Sequence, residues 1–166
     1  MLLAVMEGII LSFTLLMICV MSIKNGPVGG VHYYEQDVWK RVIEIGLITE
    51  KQIKRNQTVS GIPFFVMLMI VCPVIEFCLN DPSGFMEGFI HLLIAFMICN
   101  LFDRFFIDWY WVGHTKAWII PGTEDLMPYI PKNALITKWV SSLIMYPAMA
   151  ALLSFKIGRA SCRERV

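Results

Sequence analysis

The sequence predicts an all-α, polytopic membrane protein with four transmembrane helices and a helical first cytoplasmic loop. Three observations lead there. The 166 residues are 57% hydrophobic and 16% charged, with a mean hydropathy of +0.65, which is too apolar for a soluble domain of this length. Four apolar runs, at about 2–23, 62–79, 85–107 and 134–155, approach the roughly 20 residues that a helix needs to cross a bilayer. Lys and Arg are plentiful in the first and third connections and absent from the second. Residues 1–156 then make a single transmembrane domain.

Each element has a local reason. The first run lacks a basic leader segment and a small-residue cleavage site, so it reads as a retained helix and not as a signal peptide. In the connection that follows, Val38, Trp39, Val42, Ile43 and Ile45 recur at helical spacing, and Gly46 suits a C-cap. Thr49 and Gln52 form a capping box that opens a second short helix to about Asn56. Both short helices are expected on the membrane surface, with Tyr33 and Trp39 near the headgroups. "DPSG" at 81–84 fits a tight type I turn, which makes the second and third spans an antiparallel hairpin. Pro73 and Pro147 are expected kinks.

Orientation follows from charge. Lys24, Lys40, Arg41, Lys51, Lys54 and Arg55 lie in the first connection, and Lys116, Lys132 and Lys138 in or beside the third. This places loops 24–61 and 112–133 in the cytoplasm, and the N-terminus and the 80–84 turn outside, in a multi-pass protein of a bacterial cell (inner) membrane. Residues 157–166, "IGRASCRERV", interrupt an apolar helix in mid-run and resemble translated sequencing-adapter read-through, so they are expected to be a non-native tail. Without residues 156–166 the chain has 10 Lys plus Arg against 12 Asp plus Glu, a net charge of about −2. That balance excludes a nucleic-acid partner, and Glu35, Asp37, Glu44 and Glu50 dilute any helix-turn-helix reading of the first loop. Cys19, Cys72, Cys78 and Cys99 fall inside apolar runs without metal spacing and read as buried thiols.

An ionisable group at the centre of a spanning helix costs about 2.5–3.5 kcal/mol, so such residues are the candidates for function. Toward the outer side, Glu7, Glu76, Glu87 and His91 are expected at similar depth, with Glu87 and His91 stacked four apart on one helix face. These are the candidate metal ligands: no cofactor is predicted, but three carboxylates and an imidazole fit a divalent cation or a proton relay. The plain alternative is that each carboxylate reaches toward water or a backbone donor. At the inner end, Asn100, Arg104 and Asp108 form one polar stripe, and Trp109, Tyr110 and Trp111, with Trp118 and Trp139, mark the headgroup belt. "PGTED" has the Pro-Gly of a type II turn, with Thr123 as a cap for a helical turn carrying two acids. Asp103, Asp108, His114, Glu124 and Asp125 are the candidate catalytic residues, a set able to hold a magnesium or manganese ion against a lipid phosphate if they converge. A solvated loop beside a paired helix exit explains the same residues without chemistry. Phosphate-binding, dinucleotide and nucleophile-elbow motifs are absent.

"NGPVGG", "IGLITEKQIKRN", "NLFDRFFIDWYW" and "IPGTED" together resemble an uncharacterised family of small multi-pass bacterial membrane proteins, over most of residues 1–155. The resemblance implies four membrane helices and assigns no activity and no residue roles. The expected function is a non-enzymatic membrane component, transport accessory or stress-related, with the lipid bilayer as its surroundings and a second copy or another membrane subunit as its partner. Two alternatives stand beside it: a membrane-embedded enzyme acting on a lipid or prenyl substrate at the cytoplasmic face, and a cation or proton pathway through the outer carboxylates.

Overall fold

The computed structural model describes residues 1–164, with side chains through Phe155. The expected non-native tail over 157–166 lies outside the residues whose side chains are described. All regular structure among the described residues is helical. We label the main helices α1 (Leu2–Ile23), α2 (Gln36–Glu44), α3 (Glu50–Asn80), α4 (Phe85–Val112) and α5 (Lys132–Glu164). Four are long and apolar enough to cross a membrane: α1, α3, α4 and the Lys132–Phe155 part of α5.

Three boundaries differ from the sequence reading. The short helix expected to stop near Asn56 and the span expected from 62 are one helix of 31 residues. The capping box at its start forms as expected, with Thr49 accepting from the Gln52 amide and Gln52 Oε1 accepting from the Thr49 amide at 2.9 Å. Nothing before Pro63 then stops the helix. Thr58 bonds back to the Lys54 carbonyl at 3.0 Å within this polar stretch, just before the helix enters the apolar run. The third span runs on past 107 to Val112, so Trp109, Tyr110 and Trp111 lie on the helix itself. The fourth begins at Lys132, two residues early.

Helix α4 is the centre of the bundle, packed on α1 along one side and on α5 along another. Ala4, Gly8 and Ser12 recur every four residues on α1 and are all buried, which gives that helix a small-residue face. A Cβ at Gly8 would come within 2.8 Å of Ile98 Cβ and 2.9 Å of the Ala95 carbonyl, so the two backbones touch there. In an apolar solvent close backbone approach is a main source of helix association, and the small residues permit it. Between the ends lies an apolar layer of Leu11, Leu68, Leu92, Phe96 and Tyr146. Cys19, Cys72 and Cys99 are buried as expected, whereas Cys78 is exposed on the outer surface of α3.

The two long connections are not laid out along a surface. The Pro27–Tyr33 turn helix, α2, the first turns of α3 and the 113–131 segment fold together into a cap with its own core. Val31, Tyr34, Val38, Val42, Ile53, Trp118, Ile120 and Tyr129 fill it. Trp118, expected at the headgroups, is 1% exposed and sits against Trp111, Tyr33 and Tyr34. The reason is that two separate connections each carry one apolar face, and packing the two faces together takes both out of water. Gly46 closes α2 with φ +75°, the Gly46 and Leu47 amides donating to the Ile43 and Val42 carbonyls, as its C-cap role requires. Gly122, with φ +86°, likewise forms the type II turn expected of Pro121-Gly122, closed by the Thr123 amide on the Ile120 carbonyl at 3.2 Å. Thr123 does not cap; its hydroxyl is buried against Tyr129 Oη at 2.6 Å and the Ile120 carbonyl.

Within the cap, His32 is buried, with Nδ1 3.2 Å from the Gly29 carbonyl and Nε2 2.8 Å from the Ser60 hydroxyl. Facing a carbonyl, Nδ1 carries the proton and Nε2 accepts from Ser60. Burial disfavours the imidazolium and lowers the His32 pKa below its ordinary value, against a smaller opposite pull from the Gly29 carbonyl. The sign follows. Folding favours neutral His32, so its contribution is complete above the unfolded-state pKa of about 6.5 and is lost as pH falls from there toward the lower folded value. Acidification below about pH 6 is therefore expected to speed amide exchange over 29–34, and His32→Gln to flatten that dependence. Hydrogen exchange at several pH values, corrected for intrinsic rates, checks it.

Candidate functional site

The end of the bundle that carries the 80–84 turn holds a buried polar cluster. Helix α3 supplies Glu76 and Asn80, four apart on one face, in a widened helical turn over Glu76–Asn80. Asp81 closes that helix in the left-handed region with φ 41°, which turns the chain into α4. His91 comes from α4 and Glu7 from α1. Glu76 is 0% exposed, and its Oε1 lies 2.7 Å from His91 Nδ1. Asn80 Nδ2 donates to Glu7 Oε1 at 3.0 Å and to Glu76 Oε2 at closer range. Met1 N is 3.2 Å from the other imidazole nitrogen. Glu7 Oε2 is buried with no partner among the described residues.

Three of the four outer candidates thus converge, linked by Asn80, which sequence reasoning missed. Its position four residues after Glu76 was the available signal. Glu87 does not join them. It is exposed and accepts from the Ser83 amide at 2.8 Å and the Ser83 hydroxyl at 2.5 Å, which ties down the start of α4. A groove of about 410 Å³, lined in part by Ser83, Met86, Glu87 and Ile90, opens onto His91. The two carboxylates face two basic groups, the His91 imidazole and the Met1 amine, so the cluster holds as many bases as acids. Asn80 presents a nitrogen donor to both acids and so bridges them. Among the described residues no three His, Cys, Asp or Glu side chains have the spacing to hold a metal ion.

The opposite end of the bundle holds the second cluster, again on widened turns, Asp103–Val112. Arg104 pairs with Asp103 at 3.1 Å and, more closely, with Asp108, four residues on. Lys138 of α5 reaches Asp108 at 3.4 Å. Two acids and two bases balance, so a network inside an apolar helix pair stays neutral. The Arg104–Asp108 pairing is as expected. Lys138 was counted in the sequence as a loop charge and proves to be the link from α5 to α4. Asn100, one turn before Arg104, is fully buried, and among the described residues neither atom of its amide has a partner.

The remaining catalytic candidates do not gather around these two aspartates. His114 is exposed, with Nδ1 2.6 Å from the Trp109 carbonyl. Glu124 accepts from the Gly122 amide at 2.8 Å within its own turn. Asp125 pairs with Arg41 of α2 at 3.3 Å on the surface of the cap. The five candidates fall within 23 positions of the sequence, but the fold sends them to four different sets of partners. No family model matches the chain, and neither a curated protein nor a solved structure does.

Proposed function

We propose that this chain is a non-enzymatic, multi-pass membrane component, of the transport-accessory or stress-related kind, that responds to protons through Glu7, Glu76 and His91. One observation carries this reading: Glu76, with no exposed surface, is bonded to His91 on the neighbouring helix and coupled through Asn80 to a third titratable group, Glu7, on another. Buried carboxylate–imidazole groups at membrane depth are typical of proton binding. The groove that reaches His91 supplies access from the turn end. The apolar layer around Leu11, Leu92 and Phe96 separates this cluster from the Asp103–Arg104–Asp108–Lys138 network, which favours proton-linked rearrangement over an open channel. The Lys and Arg count of the two long connections supports an orientation in a bacterial cell membrane with the cluster outward and the cap cytoplasmic.

The scattering of His114, Glu124 and Asp125 leaves the lipid- or prenyl-directed enzyme without a converged site. The experiment is an infrared pH titration of the reconstituted protein. The wild type is expected to show a carboxylic-acid band whose intensity depends on pH, and Glu7→Gln, Glu76→Gln and His91→Gln are each expected to remove or shift it. A titration identical in the wild type and all three variants ends the proposal.

A further inference from the structure

A groove of about 620 Å³ runs between the second half of α1 and the first turns of α3, at the cap end of the bundle. Its lining changes character along its length. Thr14, Met17, Met21, Val59 and Pro63 line the apolar part, and Lys24, Asn25, Arg55 and Asn56 the end next to the cap. No acidic side chain lines it, and among the described residues neither Lys24 nor Arg55 has a carboxylate within 4.0 Å. By contrast Lys54, one residue from Arg55, is paired with Glu50.

We propose that this groove holds one anionic phospholipid, with its phosphate at Lys24 and Arg55 and an acyl chain along Met21, Met17 and Thr14. Three features select that occupant. The cations are two, unneutralised, and at the same end, which matches a single anionic headgroup. From Lys24 to Thr14 is ten residues of helix, about 15 Å, or half of the roughly 30 Å hydrocarbon core, so the groove is one leaflet deep. Met17 and Met21 are flexible thioethers that fit themselves to an irregular chain. The Asn56 amide already bonds the Gly29 carbonyl at 3.4 Å, which holds the polar end in shape. This inference is independent of the proton-binding cluster, which lies at the other end of the bundle.

The test uses the full chain in phosphatidylcholine vesicles doped with phosphatidylglycerol, with retained lipid counted by native mass spectrometry after extraction. The expected result is one phosphatidylglycerol retained per chain in preference to phosphatidylcholine. Lys24→Gln with Arg55→Gln is expected to weaken retention about 25-fold, about fivefold for each charge. Lys40→Gln with Lys51→Gln removes the same net charge from exposed positions outside the groove and is expected to leave retention unchanged. Met17→Trp, which fills the acyl part while both cations remain, is expected to weaken it as well. Equal retention of the two lipids, or equal effects of the two double variants, overturns the proposal. So does full retention in Met17→Trp combined with displacement of the lipid by inorganic phosphate, which would make the site one for phosphate alone.

Discussion

Asp108→Ala is expected to destabilise the protein by about 3–5 kcal/mol, because it strips the shared acid from between two bases and leaves a buried cation short of its partner. The Arg104 and Asp108 side chains are 12% and 9% exposed, so water offers little compensation. In the wild type the four charges cancel; in Asp108→Ala the network is left with one excess positive charge, because Asp103 still pairs with Arg104 while Lys138 loses its carboxylate. Removing Arg104 and Asp108 together by Leu substitution restores neutrality, with Asp103 and Lys138 still present. The double variant is therefore expected to recover most of the loss. Denaturant titration in detergent measures both. Equal loss in the single and double variants would show that packing at these positions, and not charge balance, holds α4 to α5.

Trp118→Ala is expected to cost a similar amount, about 3–5 kcal/mol, but to unfold the cap and spare the bundle. The indole ring is 1% exposed and packs edge-on against Trp111 with centroids 5.0 Å apart, and against Tyr33 and Tyr34 at just over 6 Å. It also occupies the space at Gly30, where an added Cβ would meet the ring at 2.6 Å. Two connections, 24–49 and 113–131, meet at this one side chain and at the Tyr34 hydroxyl, which donates to the Trp118 carbonyl at 3.1 Å. Limited proteolysis is expected to cut both connections in Trp118→Ala while helix content by circular dichroism changes little. Because the indole nitrogen has no partner among the described residues, Trp118→Phe should lose only packing volume and stay intermediate. Cleavage confined to one connection would mean that the two halves of the cap fold separately.

Sequence alone was enough for the four apolar spans, because about 20 apolar residues in a row have few alternatives to crossing a bilayer and need no partner to be recognised. The caps at Thr49–Gln52 and Gly46, the Pro121-Gly122 turn and the Arg104–Asp108 pair were legible for the same reason: each is settled by residues within five positions of one another. What required tertiary structure was every contact between distant segments. Glu76, Asn80, His91 and Glu7 are spread over 85 residues, and only the packing of α1, α3 and α4 shows that Asn80 joins them while Glu87 turns to Ser83. Trp118 looked like an interface anchor because an aromatic near a helix exit has two physical solutions, a headgroup or a second apolar face. The residue at the far side of the contact, Tyr34 from a connection 84 positions earlier, decides between them.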